Sequence, residues 1–249
     1  MIKKLIIKFL HFIRRILTAL RNHCLPVPLP VPLPVSLPVP LPPSPYEIYI
    51  NEQIKKSYET FKPHFQKSIF LDYIDYRKFV IERAKENDVS NKKFYLEFGV
   101  WVGTTINFFS NYVNTIYGFD SFEGLREDWV GTGTPKGTFN LKRKLPKLNK
   151  NVIPVVGWVQ DTLVPFLDKH KPEINFIHLD MDTYESTKFV LTKIKPYLTK
   201  NCTIAFDELY NYSGWELGEY KALKETFNDN EYRYVCFCKN GAQVMIQTI

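Results

Sequence analysis

The chain has 249 residues, 45% of them hydrophobic and 15% aromatic, which is enough for one large domain with a full core and excludes disorder over most of its length. Its net charge of +7 would suit a nucleic-acid partner, but Lys3, Lys4, Lys8, Arg14, Arg15 and Arg21 stand in residues 1 to 23 without an acid and carry six of the seven charges. The remainder is close to neutral, so a reader of phosphate backbones is not expected.

Residues 1–24, "MIKKLIIKFLHFIRRILTALRNHC", place Lys4, Lys8, His11, Arg15, Thr18 and Asn22 at helical spacing opposite Leu5, Phe9, Phe12, Ile16 and Leu20. This is a basic amphipathic helix, suited to lie in the headgroup layer of an anionic membrane. The alternative is a helix docked on its own domain or on a twin subunit. No apolar run approaches the roughly 20 residues of a membrane span. Charges interrupt any signal-peptide core, and no small-residue cleavage site follows.

Residues 25–45, "LPVPLPVPLPVSLPVPLPPSP", repeat proline at nearly every second position, which removes backbone donors and leaves polyproline II. At about 3.1 Å per residue the segment would extend on the order of 60 Å, as a stiff spacer, as a repeat without a role, or as a docking site for proline-reading domains.

Residues 46–249 read as one folded unit, with a helical lead-in over 46–93. "FYLEF" (94–98), "TIYGF" (115–119), "NVIPVV" (151–156), "INFIHL" (174–179) and "CTIAF" (202–206) are short apolar strands separated mostly by helical segments. That is the pattern of a parallel sheet covered on both faces. "EYRYVCF" and "AQVMIQT", joined at Asn240-Gly241, add a C-terminal hairpin for seven strands. Of the four cysteines, Cys24 and Cys202 are isolated, and Cys236 and Cys238 share a strand face as a buried apolar pair, the alternative being a metal pair; a reducing cytoplasm is expected.

Open sheets of this kind bind ligands at the carboxyl ends of their strands. The first strand ends in "LEFGVWVGTT", where Gly99 and Gly103 permit a tight turn into a helix and Glu97 sits at the strand edge to hold an amino or hydroxyl group. The second ends in "GFDS", with Asp120 17 residues after Gly103, where an acid accepts hydrogen bonds from a ribose. Trp101 occupies the middle glycine position of a dinucleotide fingerprint, which points to a nucleoside without phosphates. Asp180 ends the fourth strand, and Asp207 and Glu208 end the fifth. Three converging carboxylates repel unless a cation joins them, and hard oxygen ligands suit Mg2+, Mn2+ or Ca2+. Asp182, two residues from Asp180, faces the same side if the strand stays extended, and there it could take a proton from a metal-bound hydroxyl. Otherwise it caps the helix that begins "TYESTKFV".

The blocks "LEFGVWVGTT", "YGFDSFEGLREDW", "TPKGTFNLKRKLP", "VVGWVQDTL", "HLDMDTYEST" and "FDELYNYSGWELGEYKAL" resemble, in order, the macrocin O-methyltransferase (TylF-type) family of class I S-adenosylmethionine-dependent methyltransferases. The resemblance implies a Rossmann-like α/β fold with a sheet of order 3-2-1-4-5-7-6 and helices on both faces. It implies S-adenosylmethionine over Gly99, Val100, Gly103 and Thr104, with its ribose on Asp120 beside Ser121, and with Glu97, Gln160 and Asp161 completing the cofactor site. It also implies a divalent metal, usually Mg2+, on Asp180, Asp207 and Glu208, with Asp182 as general base. Gln160 stands where relatives often carry an acid, Arg126 where proline is common, and Glu208 where many have aspartate.

The expected reaction is metal-assisted O-methylation of a sugar or glycosylated acceptor. Phe122, Trp129, Trp158, Tyr184, Tyr210, Tyr212 and Trp215 are candidates to line the acceptor pocket or else to sit in the core, residues 121–150 read as a mobile lid, and His178 reads as a core histidine or as a group that reaches the same sheet edge as the acids. The expected partners are a small-molecule or glycan acceptor, an anionic membrane on its cytoplasmic face, and a second copy of the chain. The rival readings are another metal-dependent enzyme on the same architecture and a membrane-tethered nucleoside-binding module without chemistry.

Overall fold

The structure is a computed structural model and describes residues 13–14 and 42–249. The amphipathic helix expected over residues 1–24 and the proline repeat up to residue 41 therefore lie outside the described residues, apart from Ile13 and Arg14, which are helical and exposed. Among the described residues no helix is long and apolar enough to cross a membrane.

Helix α1 (Pro45–Phe65) has a full capping box. Ser44 Oγ accepts from the Glu47 N–H at 3.2 Å, and Glu47 Oε2 accepts from the Ser44 N–H at 2.6 Å. Pro45, the expected end of the spacer, is thus the first residue of the helix, where its missing N–H costs nothing. Phe61 ties α1 to the body through edge contacts with Tyr210, Trp215 and Tyr220 at 5.4 to 5.7 Å.

The remaining elements are β1 (Ile69–Leu71), α2 (Tyr73–Glu86), β2 (Phe94–Phe98), α3 (Thr104–Ser110), β3 (Ile116–Asp120), β4 (Val152–Val156), α4 (Val159–His170), β5 (Ile174–Leu179), α5 (Tyr184–Ile194), β6 (Leu198–Phe206), α6 (Glu219–Thr226), β7 (Tyr232–Cys238) and β8 (Val244–Thr248). One sheet runs β1-β7-β8-β6-β5-β2-β3-β4. Its last seven strands follow the order implied by the resemblance, and β8 alone runs antiparallel to its neighbours.

The count of seven strands is corrected to eight. β1 pairs parallel with β7 at Ile69–Cys236 and Leu71–Cys238, inside the stretch expected to be only helical. The hairpin also differs from expectation: β7 and β8 are joined through residues 239–243, closed by the Cys238 N–H donating to Gln243 O at 3.0 Å. Neither Asn240 nor Gly241 has the positive φ that a two-residue turn needs.

Every residue of β5 is buried, as expected of a central parallel strand covered on both faces. On one face Tyr76, Val80 and Ile81 of α2 pack with Ile106 and Phe109 of α3. On the other, Leu163 of α4, Val190 and Ile194 of α5 and Leu223 of α6 meet Leu96, Phe98 and Phe206. Cys202, Cys236 and Cys238 are buried free thiols.

Candidate active site

β2, β5 and β6 end side by side, because β5 pairs in parallel with both neighbours. Gly99 follows β2 at φ +89°, and a Cβ there would overlap the carbonyl oxygen of Asp180. The missing side chain lets the β2 turn close on the end of β5, where the Asp180 N–H donates to Phe98 O at 2.8 Å. The chain then turns through Trp101 (φ 45°) and Gly103 (φ 81°) into α3. Asp120 holds this turn: its Oδ2 accepts from the N–H groups of Val100 and Trp101 at 2.8 and 2.7 Å, and its Oδ1 accepts from Phe122 N–H at 2.6 Å. Three of its roughly four lone-pair sites are therefore on the chain's own amides, so in this conformation Asp120 shapes the turn more than it offers itself to a ribose.

The acids gather at the floor of the same cleft. Ligand atoms of Asp180, Asp182 and Glu208 lie within 4.8 Å of one another, and so do those of His178, Asp180 and Asp207. The expected trio of Asp180, Asp207 and Glu208 is thus two overlapping sets that share Asp180. Burial, and then the Asp207 charge, push the carboxyls of Asp180 and Glu208 well above the ordinary range. Burial, Asp207 and Asp120 raise Asp182 to about 7. Burial works against ionisation of Asp207 too, but the imidazole of His178 overrides it and holds that carboxyl low. Glu208 Oε2 is buried without a hydrogen-bond partner, and Asp207 Oδ1 has only the His178 imidazole beside it, at 3.5 Å. An orphaned carboxylate oxygen among acids that repel one another at this spacing fits a hard divalent cation.

Asp182 does not reach this group along an extended strand. β5 stops at Leu179, Asp182 is at φ 62°, and Thr183 N–H donates back to Met181 O at 2.7 Å, so a tight turn carries the carboxyl to the floor. It does not cap the next helix either: the cap residue of α5 is Thr183, without a side-chain cap bond.

His178 is more than a satisfied core histidine. Nδ1 lies 3.2 Å from Glu97 Oε2, and Nε2 lies 3.5 Å from Asp207 Oδ1. Burial favours the neutral ring, but Asp207 and Glu97 outweigh it and raise the imidazole to about 10. Glu97, expected at the strand edge to hold a ligand, is fully buried beside His178 beneath the floor.

A cavity of about 560 Å3 opens above these groups. Of the sequence-derived candidates, Gly99, Val100, Thr104, Asp120, Ser121 and Gln160 line it, as do Asp180, Asp182, Asp207 and Glu208. Glu97, Gly103 and Asp161 do not: Gly103 packs against Leu148, and Asp161 is exposed in the first turn of α4. Trp129 and Trp158 line the cavity, whereas Phe122, Tyr210 and Trp215 are core, Tyr212 packs on Trp129, and the Tyr184 hydroxyl donates to Glu225 at 2.6 Å.

The segment over 121–150 is stitched in place. The Leu125 N–H donates to Thr138 O and the Gly137 N–H donates to Leu125 O, Leu141 and Arg143 both donate to Phe122 O, and Ser213 Oγ donates to Gly131 O. Trp101 and Phe139 meet at 5.2 Å on the rim, and both line the cavity. Tyr73 and Arg77, from a helix read only as a lead-in, complete the wall. The signal for Arg77 was a charge that falls on the helical stripe of Val80, Ile81 and Ala84, at i, i+3, i+4 and i+7, one helical turn from Tyr73.

Residues 96–209 match a family model described as a methyltransferase domain, over the stretch that holds the glycine turn and all four floor carboxylates. Two solved structures have the same fold. The first, titled as the calicheamicin methyltransferase CalS11, is 22% identical with a TM-score of 0.58, covering 83% of this chain and 94% of that one. The second, titled as apo CalS11, a TDP-rhamnose 3'-O-methyltransferase of calicheamicin biosynthesis, is 21% identical with a TM-score of 0.51, covering 83% and 96%. The architecture is that of Rossmann-like methyltransferases. No curated protein matches the chain in sequence.

Proposed function

We propose that this chain is an S-adenosylmethionine-dependent, divalent-metal-assisted O-methyltransferase acting on a hydroxyl of a sugar or glycosylated acceptor. The observation that carries the reading is that one cavity joins the glycine turn of β2 and Asp120 to a floor of four carboxylates, Asp180, Asp182, Asp207 and Glu208. A nucleoside-borne group and a cation-held oxygen would meet there. When bound, the cofactor supplies a sulfonium-activated methyl group and the cation lowers the pKa of the acceptor hydroxyl.

Asp180, Asp207 and Glu208 hold the cation, and His178 keeps Asp207 ionised from below. Asp182, with a carboxyl at about 7, is matched to take the hydroxyl proton near neutral pH. Gly99, Val100, Ser121 and Gln160 seat the nucleoside, and Asp120 acts by holding the turn on which it rests. Trp129 and Phe139 offer flat apolar faces for a sugar ring and exclude water from the transfer. The sugar class is supported by the printed activity of the second structural neighbour. Residues 1–23 are the proposed peripheral contact with an anionic membrane, on its cytoplasmic face.

The test is transfer of labelled methyl from S-adenosylmethionine to a panel of sugar nucleotides, glycans, glycosylated metabolites and small phenols, in chelator and with Mg2+ restored. Mg2+-dependent labelling of a sugar hydroxyl is expected. Full-rate transfer in chelator refutes the metal, and failure of the protein to bind the cofactor refutes the whole reading.

A further inference from the structure

Two charged side chains of the cavity wall are left unused by the mechanism above: Arg126, which is exposed and lies 5.7 Å from the centroid of the Trp158 ring, and Arg77, which is buried. Arg77 is the one that burial makes costly. It is 9% exposed, lines the cavity, and takes part in none of the ion pairs among the described residues. Its Nη2 donates to Thr105 Oγ1 at 2.9 Å and to the Tyr73 hydroxyl, and the guanidinium lies 4.1 Å from the centroid of the Tyr73 ring. Its Nε is buried with no partner at all. Glu97 is an acid close enough to feel Arg77, but it lies against His178.

A guanidinium remains charged at every accessible pH, and desolvating one without an anion is expensive. Both contacts made here are to neutral hydroxyls, so they orient the fork without neutralising it. The site is thus a fixed, partly desolvated cation with donor capacity left over, facing the cavity.

We propose that Arg77, oriented by Thr105 and Tyr73, is the seat for the α-carboxylate of the cofactor's amino-acid tail. This rests on the S-adenosylmethionine reading above. Asp120 and Gln160 mark the nucleoside end of the cavity and Asp182 the point of methyl transfer. The wall of Thr104, Thr105 and Arg77 is left for the tail. A carboxylate is the planar two-oxygen anion that a guanidinium fork matches. The four acids of the floor repel such an anion, and Arg77 supplies the opposing charge, so the tail is steered to one wall.

Calorimetry on the full chain compares S-adenosylhomocysteine with 5'-methylthioadenosine, which carries the same nucleoside thioether without the amino-acid group. Arg77→Met should weaken S-adenosylhomocysteine binding by about 30-fold or more, as expected for truncating one partner of a buried charge pair. It should change methylthioadenosine binding by less than about threefold. Arg77→Lys should recover part of the loss, because charge returns without the fork. Methylthioadenosine binding also reports an intact cavity, and if the methionine variant fails to fold, a selective loss for S-adenosylhomocysteine in the lysine variant carries the same information. Equal losses for both ligands, or unchanged S-adenosylhomocysteine binding with impaired methyl transfer, would overturn the proposal, the latter assigning Arg77 to the acceptor. A wild-type protein that binds neither ligand defeats the cofactor reading itself, and this inference with it.

Discussion

Asp182→Asn is expected to stabilise the metal-free protein while disabling it. Burial, Asp207 and Asp120 lift the Asp182 carboxyl from 3.8 to about 7, so at pH 8 the fold holds an ionised group in a place that disfavours its charge. That interval corresponds to about 4 kcal/mol at most. Asparagine keeps the shape, removes the charge, and tolerates the φ of 62° at this position. The folded value lies above the unfolded one, so the wild type should lose stability as pH rises from about 4 through about 7 and then level off, while the variant lacks this loss. Denaturant unfolding of both proteins in chelator across that range measures the gap, which should grow from near zero to several kcal/mol, or roughly 2–4 °C in melting temperature per kcal/mol. Methyl transfer by the variant should fall by about 100- to 10,000-fold. A gap that does not change with pH, or an asparagine variant that is the weaker protein at pH 8, would refute the placement of this carboxylate among repelling neighbours.

Mg2+ added to chelator-treated protein should raise the melting temperature more at pH 8 than at pH 5.5. At the lower pH it must displace protons from Asp180 and Glu208, which burial holds well above the usual carboxylate range; equal shifts by scanning fluorimetry would count against the site. Asp180→Asn and Asp207→Asn should each abolish the Mg2+ shift and metal-dependent turnover while leaving S-adenosylhomocysteine affinity within about threefold, by calorimetry. Asp120→Ala should do the reverse, because the amides of Val100, Trp101 and Phe122 lose their acceptor and the glycine turn loosens; its cofactor affinity should drop about tenfold or more while Mg2+ binding persists. Deleting residues 1–42 keeps Ser44 and its capping box, so the body should fold and turn over a soluble acceptor as before but lose binding to anionic vesicles. A truncated protein that still sediments with those vesicles would assign the first helix to the domain's own packing.

Local patterning carried much of the architecture. β2 and β5 run over the residues that their apolar composition marks, because a strand buried on both faces must be a short unbroken apolar run. The acids that follow those runs stand at one edge because parallel strands all end on the same side. β1 escaped notice because three residues are too few to establish a period, and it exists only because β7 offers an unpaired edge.

What the sequence by itself determined is which chemistry the strand ends carry: glycines that permit a turn, an acid as the last residue of β3, and four carboxylates after β5 and β6. Only the tertiary structure decided how those groups meet. It turned Asp182 onto the floor through a left-handed residue, set His178 between Glu97 and Asp207, committed Asp120 to three amides, and brought Arg77 from a helix outside the motif blocks into the cavity wall. The physical reason is range. Turn and strand preferences act over a few neighbouring residues, whereas the charge that a buried group feels is set by residues that strand order brings within a few ångströms from tens of positions away.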